Sequence, residues 1–272
     1  MRSHSRSLET DRMILLAPPF GDWPATFNSI KVDTLRHQRL LADAQWLRAR
    51  AYCHDGAINR YQLSSDGRFV HSHDEQSWHL LVMDDKGRVA GCARYCPHKH
   101  HVSFSELSIA ESALASCPEW GSRLRRAVES KRAEARRRGY SYGELGGWAL
   151  KRERRHTLEA LRISVNMGGL MKLFGGALAV STATIRHRSS SILKKLGGQG
   201  LFHGDVEIPS YYDPKYRCEM EIVGFDSDVP NPKYVGLIKE CQIKLRNIAV
   251  VCAGYRENMG AAMPELQMET IG

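Results

Sequence analysis

Apolar positions along the chain repeat with two different periods, and the switches between those periods mark the elements. Ile30-Lys31-Val32 reads as a short strand, after which Thr34 opens a helix whose Leu40, Leu41, Ala44, Leu47 and Ala51 recur at helical spacing. Two apolar runs, Trp78 to Met83 and Arg88 to Tyr95, flank the polar turn Asp84-Asp85-Lys86-Gly87 and read as an antiparallel hairpin. Trp120 to Arg138 is a strongly basic helix with Trp120, Leu124, Ala127, Val128 and Ala135 as its inner stripe, and Gly139 stops it. Tyr140 to Leu150 reads as a central strand interrupted by Gly146-Gly147. Thr157 caps a helix that runs to Phe174, and Ala177 to Ile185 supplies another strand. Ser189 opens a short helix that stops at Gly197-Gly198, Cys218 to Phe225 is a late strand, and Tyr234 to Val251 reads as a final helix.

Strands and helices in this order place helices on both faces of a mixed α/β sheet and exclude solenoids and all-β barrels. The expected organisation is a flexible N-terminal arm over 1–26, a main α/β domain over 27–229 and a C-terminal helical extension over 230–272. The arm is expected to contribute no chemistry.

Composition narrows the setting. A formal charge of +9 implies an anionic partner: nucleic acid, membrane, a nucleotide cofactor or an acidic carrier protein. The 7 cysteines are odd in number and never spaced C-x-x-C, which argues against a secreted disulfide framework and for a reducing cytoplasm. No apolar run is long enough to span a membrane. The basic helix could meet nucleic acid, but no aromatic platform or helix-turn-helix accompanies it, so nucleic acid is not the expected partner. Its face also suits an acidic carrier. Cys96-Pro97-His98-Lys99-His100-His101 carries metal-ligand chemistry but completes no four-ligand pattern, so no metal is expected.

The most informative segment is Tyr142-Gly143-Glu144-Leu145-Gly146-Gly147-Trp148-Ala149-Leu150, followed by Lys151-Arg152-Glu153-Arg154-Arg155-His156-Thr157. Paired glycines inside a strand point to a bulge, or to a close approach by a ligand or another backbone. Basic residues then precede a helix N-terminus, whose free N–H groups and dipole favour a phosphate. Packing of the glycines against Trp148, and a solvated charge run, are the plainer readings.

With these residues the sequence resembles the GNAT superfamily of acyltransferases, and within it the autoinducer branch of acyl-homoserine-lactone synthases and N-acyl amino acid synthases. Ser29 to Val32 and Leu47-Arg48-Ala49-Arg50-Ala51-Tyr52 look like that branch's first strand and helix. Asp74-Glu75 before Trp78 to Met83, and Gly87 to Arg94 after it, are similar to its central hairpin. Glu144 occupies its acidic position, and Arg186 to Gly197 looks like its last helical motif. Lys151 to His156 stands where the superfamily has Q-x-x-G-x-G/A, and Gly147 stands where autoinducer synthases place an arginine.

The resemblance implies a mostly antiparallel sheet with a V-shaped splay between two central strands. It also implies transfer of an acyl group from acyl carrier protein or coenzyme A to a small amine such as an amino acid, with no tightly bound cofactor. Glu144 would accept the amine proton, its plainer reading being a sheet carboxylate paired with Arg48 or Arg94; the backbone near Gly147 would meet the oxyanion; and Ser190 or Ser191, which read first as helix caps, would be weak candidates to assist the thiolate. Gly146, Trp148, Leu150, Arg152, Arg154, Arg155 and Thr157 would hold the donor, and Arg48, Trp78 and Arg94 the acceptor. Leu161, Val165, Leu170, Leu173 and Phe174 are candidate walls for the acyl chain. An acetyl-coenzyme-A-dependent acetyltransferase and a non-catalytic thioester-binding module remain as alternatives, and the oligomeric state stays open.

Overall fold

A computed structural model describes residues 13–19, 26–186 and 188–254. Its strands are β1 (Met13–Leu16), β2 (Ile30–Val32), β3 (Trp78–Met83), β4 (Val89–His98), β5 (Ser141–Leu150), β6 (Ala177–Thr184), β7 (Gln199–Gly200), β8 (Phe202–His203), β9 (Val206–Glu207), β10 (Tyr211–Asp213), β11 (Cys218–Asp226) and β12 (Ala249–Cys252). Its helices are α1 (Thr34–His54), α2 (Gly121–Arg137), α3 (Glu159–Leu173), α4 (Ser189–Lys195) and α5 (Val235–Leu245).

One large sheet runs in the order β10-β11-β6-β5-β4-β3-β1-β12-β2, with β7 added on β11. Its pairs are antiparallel except β1 with β12, β12 with β2, and β5 with β6. Neighbouring residues on each strand go to opposite faces, as a pleat requires. Leu15, Leu80, Ala93 and Val250 pack with Ile163 and Met167 of α3. Leu16, Leu81, Cys92 and Val251 pack instead with Leu40, Ala44 and Leu47 of α1. Helix α2 covers the same face as α1 farther along the sheet, where Leu124, Ala127 and Val128 meet Tyr142, Leu178 and Val180. Each fully buried leucine in these layers contributes about 1.5–3 kcal/mol.

Asp33 accepts a hydrogen bond from the Arg36 N–H at 2.9 Å, so the helix begins one residue after a proper cap. Gly139 ends α2 with φ +68°, where a side chain would be strained.

The implied splay is present. β5 and β6 pair from Ser141↔Ala177 to Leu145↔Ser181 and then part. β5 continues on β4 as far as Leu150, while β6 continues on β11 as far as Thr184. The gap between them is a V with a free strand edge on either side.

Two elements differ from the sequence reading. Met13–Leu16, expected within an arm, is a strand between β3 and β12, with Leu15 and Leu16 at 0% exposure. Four apolar residues before Ala17-Pro18-Pro19 are too few to display a period. At the other end, α5 stops at Leu245 and Ala249–Cys252 is a strand between β1 and β2. Only Arg246-Asn247 separates the two apolar runs, so the change of period is hidden. Residues 1–12, 20–25 and 255–272, which include the rest of the expected arm and the end of the expected extension, lie outside the described residues.

Candidate active site

Two cavities meet where β5 and β6 part. The first, about 80 Å³, lies on the α3 face, and its walls are apolar: Ile163, Val165, Met167 and Met171 of α3, Leu196, and Ile238 of α5. The second, about 190 Å³, lies on the α1 face and is lined by Arg48, Glu144, Tyr211, Asp213, Lys215 and Tyr216 among others. Arg94, Leu145, Gly146, Trp148, Ser181 and Leu193 border both. An apolar chain on one side and a polar molecule on the other would touch only at these residues.

Under the polar cavity lies a buried charge cluster assembled from three elements. Arg48 of α1 grips Asp74 with both terminal nitrogens, one of them at 2.8 Å, and its Nη2 also donates to the Phe69 carbonyl at 3.2 Å. Gln45 Nε2 and the His71 N–H each donate to Asp74 Oδ2 at 3.0 Å. Arg94 of β4 reaches Asp74 Oδ1 only at 3.4 Å. Burial works against the Asp74 charge, but Arg48 outweighs it and holds the carboxyl below the usual range. His79 closes the cluster through a 2.7 Å contact of Nε2 with the Asp74 carbonyl.

The Gly146-Gly147 interruption is where these arginines need room. The β4–β5 register shifts between Cys92 and Arg94, which makes a bulge, and Gly147 takes φ +62°. A Cβ at Gly147 would sit 3.0 Å from Arg48 Nη1 and 3.2 Å from Arg94 Cβ, and one at Gly146 would sit 3.4 Å from Arg94 Nη2. Tyr52 fastens the bulge by donating to the Trp148 carbonyl at 3.2 Å.

Glu144, next along β5, forms a second buried pair. Its Oε2 meets His98 Nε2 at 2.8 Å and accepts the Ser108 N–H at 2.9 Å, while Oε1 accepts the Ile109 N–H at 2.8 Å. Burial disfavours its charge, yet His98 and the two N–H groups keep the carboxyl below its ordinary range. Burial also disfavours a charged His98, but its contacts with Cys96 and Glu144 prevail and raise it to about 9.

No family model matches the chain, and no curated protein matches it. Among solved structures, the CoA-dependent acyl-homoserine lactone synthase BjaI, solved with MTA and again with SAM and isopentyl-CoA, superposes with a TM-score of 0.54. The identity is 13%, and the match covers 90% of this chain and 92% of that one. The chain has the acyl-homoserine lactone synthase fold. FeeM, an N-acyl amino acid synthase from uncultured soil microbes, covers 77% of this chain and 94% of its own at 10% identity, with a TM-score of 0.48.

On this synthase fold the residues singled out from sequence are spread unevenly. Glu144, Gly147 and Arg48 border the polar cavity, and Gly146, Trp148 and Arg94 border both cavities. Trp78 borders neither: it is buried on the α3 face between Phe27 and Phe174, with ring centroids 5.4 and 5.0 Å away. Leu150 packs into the same core. Ser190 is buried and lines neither cavity, whereas Ser189 beside it lines the polar one. In the basic corner, Lys151 pairs with Asp84 and Arg155 with Asp55, both at 2.6 Å, Arg154 pairs with Glu159 at 3.2 Å, and Arg152 is exposed. Thr157 Oγ accepts the Glu159 N–H at 3.1 Å, two residues before α3 begins.

Of the expected acyl-chain walls, only Val165 borders the apolar cavity; Ile163, Ser164, Met167, Gly168 and Met171 supply the rest of the α3 surface there. The helix is buried between the sheet and α5, so apolar residues surround it and its period does not reveal which side faces a space. Ser181 and Leu193 were not legible as junction residues, since nothing in the sequence says where two strands will separate.

The buried groups predict a stability maximum near pH 6.5. His71 and His79 have their pKa lowered by burial and by the arginines, to about 3 and about 4 from 6.5, so they oppose folding as pH falls below 6.5. Asp74 and Glu144, held below their ordinary values of 3.8 and 4.5, add to the loss below about pH 4.5. His98 acts in the opposite sense: its contribution is complete below 6.5 and is lost as pH rises through about 9. Urea midpoints measured from pH 4 to pH 10 should therefore fall on both sides, and a flat profile would contradict the buried charge states.

Among the described residues no helix is long and apolar enough to cross a membrane.

Proposed function

We propose that this chain is an N-acyltransferase that moves an acyl group from a phosphopantetheine thioester to the amine of an amino acid or a similar small acceptor. The observation that supports this most directly is the meeting of an apolar and a polar cavity at the β5–β6 splay, on a shared border of Arg94, Leu145, Gly146, Trp148, Ser181 and Leu193. The acyl chain would lie against Ile163, Met167 and Met171, and the pantetheine arm along the free edge of β5 beyond Leu145. Glu144, anionic on the polar side, would hold the incoming amine by its proton, and water in that cavity would carry the proton away. Arg152 is available to the donor's phosphates, and Arg154 would exchange Glu159 for them.

Both donors suit the surface. Coenzyme A needs only the basic corner. An acyl carrier protein would add its acidic face, for which Arg125, Arg126, Arg136 and Arg137 on the exposed side of α2 supply positive charge.

A ladder of acyl-coenzyme A thioesters, from acetyl to myristoyl, tests the reading, with a mixture of amino acids as acceptor and free thiol as the signal. Wild type should favour medium or long chains, because the donor cavity is apolar. Gly168→Leu should shift that preference toward shorter chains by roughly tenfold in kcat/KM, the scale for a few methylenes in an apolar pocket. A Cβ at Gly168 meets Ile238 at an ordinary 3.5 Å, and both residues line the cavity, so a larger side chain there would take up space at its wall. Thiol release from acetyl-coenzyme A alone would turn the assignment to an acetyltransferase. Binding without any release would turn it to a non-catalytic module.

A further inference from the structure

We propose that Arg94 is the group that stabilises negative charge on the thioester oxygen during acyl transfer, an assignment that rests on the donor and acceptor reading above. In that step the amine nitrogen forms a bond to the acyl carbon and the carbonyl π pair moves onto oxygen. As the carbonyl re-forms, the carbon–sulfur bond breaks and its electron pair leaves with sulfur. The proton lost by nitrogen passes through water of the polar cavity to the departing thiolate, so the products are an amide and a free thiol.

Position is the first argument. For the two substrates to react, the thioester carbon must lie where the cavities join, and Arg94 is the one charged residue among the six that border both. Unused donor capacity is the second. Arg94 is only 4% exposed, its contact with Asp74 is a long 3.4 Å, and its Nε is buried without a partner. Nη2 lies beside Gly146, where a side chain would crowd it. Such a donor costs stability unless something fills it. Trp148 Nε1, on the same border, is also buried without a partner.

Charge balance is the third argument. Two guanidiniums, Arg48 and Arg94, share one carboxylate, Asp74, and Arg48 takes both of its oxygens. The adjacent imidazoles, His71 and His79, are neutral near pH 7, and Glu144 is matched by His98. Within this contacting cluster, with the buried carboxylate of Asp213 elsewhere on the wall of the polar cavity, one positive charge is therefore in excess, fixed in place before substrate arrives. That is the arrangement that lowers the energy of a transient oxyanion without reorganisation during the step.

The test compares wild type with Arg94→Met and Arg94→Lys in the full-length protein, with circular dichroism to verify the fold. Arg94→Met should fold, because Asp74 keeps Arg48 and the surplus charge disappears. Transfer from decanoyl-coenzyme A to hydroxylamine, an acceptor without a carboxylate, should fall by about 10²–10³ in kcat for Arg94→Met and by less for Arg94→Lys. Calorimetry needs no turnover: a decylphosphonyl thioester of coenzyme A, which is tetrahedral and anionic, should bind Arg94→Met about 100-fold more weakly, while decyl-coenzyme A should bind both proteins alike. Equal phosphonyl affinity in the two proteins, or equal loss on both analogues, overturns the proposal. Undiminished transfer to hydroxylamine also overturns it, and would leave Arg94 to hold an acceptor carboxylate. A wild type that binds neither analogue instead removes the donor reading of the cleft.

Discussion

Asp74→Asn is expected to cost about 3–5 kcal/mol of folding stability, more than the loss of either arginine beside it. Among the described residues Asp74 is the sole carboxylate paired with Arg48 and Arg94, and each of these side chains is no more than 5% exposed. The amide is the same size, so packing would be preserved and the loss would be electrostatic. Two buried guanidiniums would face each other without an anion, and the new NH₂ would point a donor at one of the donors that Asp74 now satisfies from Arg48, Gln45 and the His71 backbone. Arg48→Met should cost less, because Arg94 remains to balance Asp74. Arg94→Met should cost least, because it removes the surplus charge and leaves the bidentate pair intact. Urea unfolding of the three variants at pH 6.5 measures the order. A loss below about 1 kcal/mol for Asp74→Asn would mean that the cluster is hydrated and that its charges are not confined as described.

This cluster shows what a single sequence reveals and what it hides. Arg94 stands in a run of small apolar residues on β4, all buried with it, and Arg48 lies four residues after Ala44 on the inner stripe of α1. A charge at an inward position is a legible signal, and both were marked as candidates. Their common partner comes from the loop before β3, and no local pattern announces that three distant segments will converge. The splay is similar. Gly146-Gly147 was legible as a bulge because glycine in a strand needs a reason, and the structure supplies arginine side chains as that reason. That β6 leaves β5 after Ser181 follows from the twist and pairing of the whole sheet, so Ser181 and Leu193 carried no mark. Trp78 errs in the other direction: the resemblance implied an acceptor contact there, but alternation sends the indole into the core with Phe27 and Phe174.

Ser181→Trp should abolish acyl transfer, by about 100-fold or more, while the protein still folds. Ser181 is the last β6 residue paired with β5, and it lines both cavities on the same side of the strand as Ala177 and Ala179, so an indole there would crowd the junction from the α3 side. The two half-sites need not be destroyed for the rate to collapse. Bringing reactants into contact contributes several kcal/mol to the barrier reduction, and a displacement near 1 Å at the reacting atoms is enough to forfeit about 100-fold. Decyl-coenzyme A affinity should fall less than turnover, since on the proposed placement its pantetheine arm would lie along β5 and only the acyl end would meet residue 181. Leu35→Trp, at a position 80% exposed on α1, serves as the control for adding an indole. Turnover by Ser181→Trp at the wild-type rate would place the reacting carbon elsewhere, and the two cavities would then have to be explained separately.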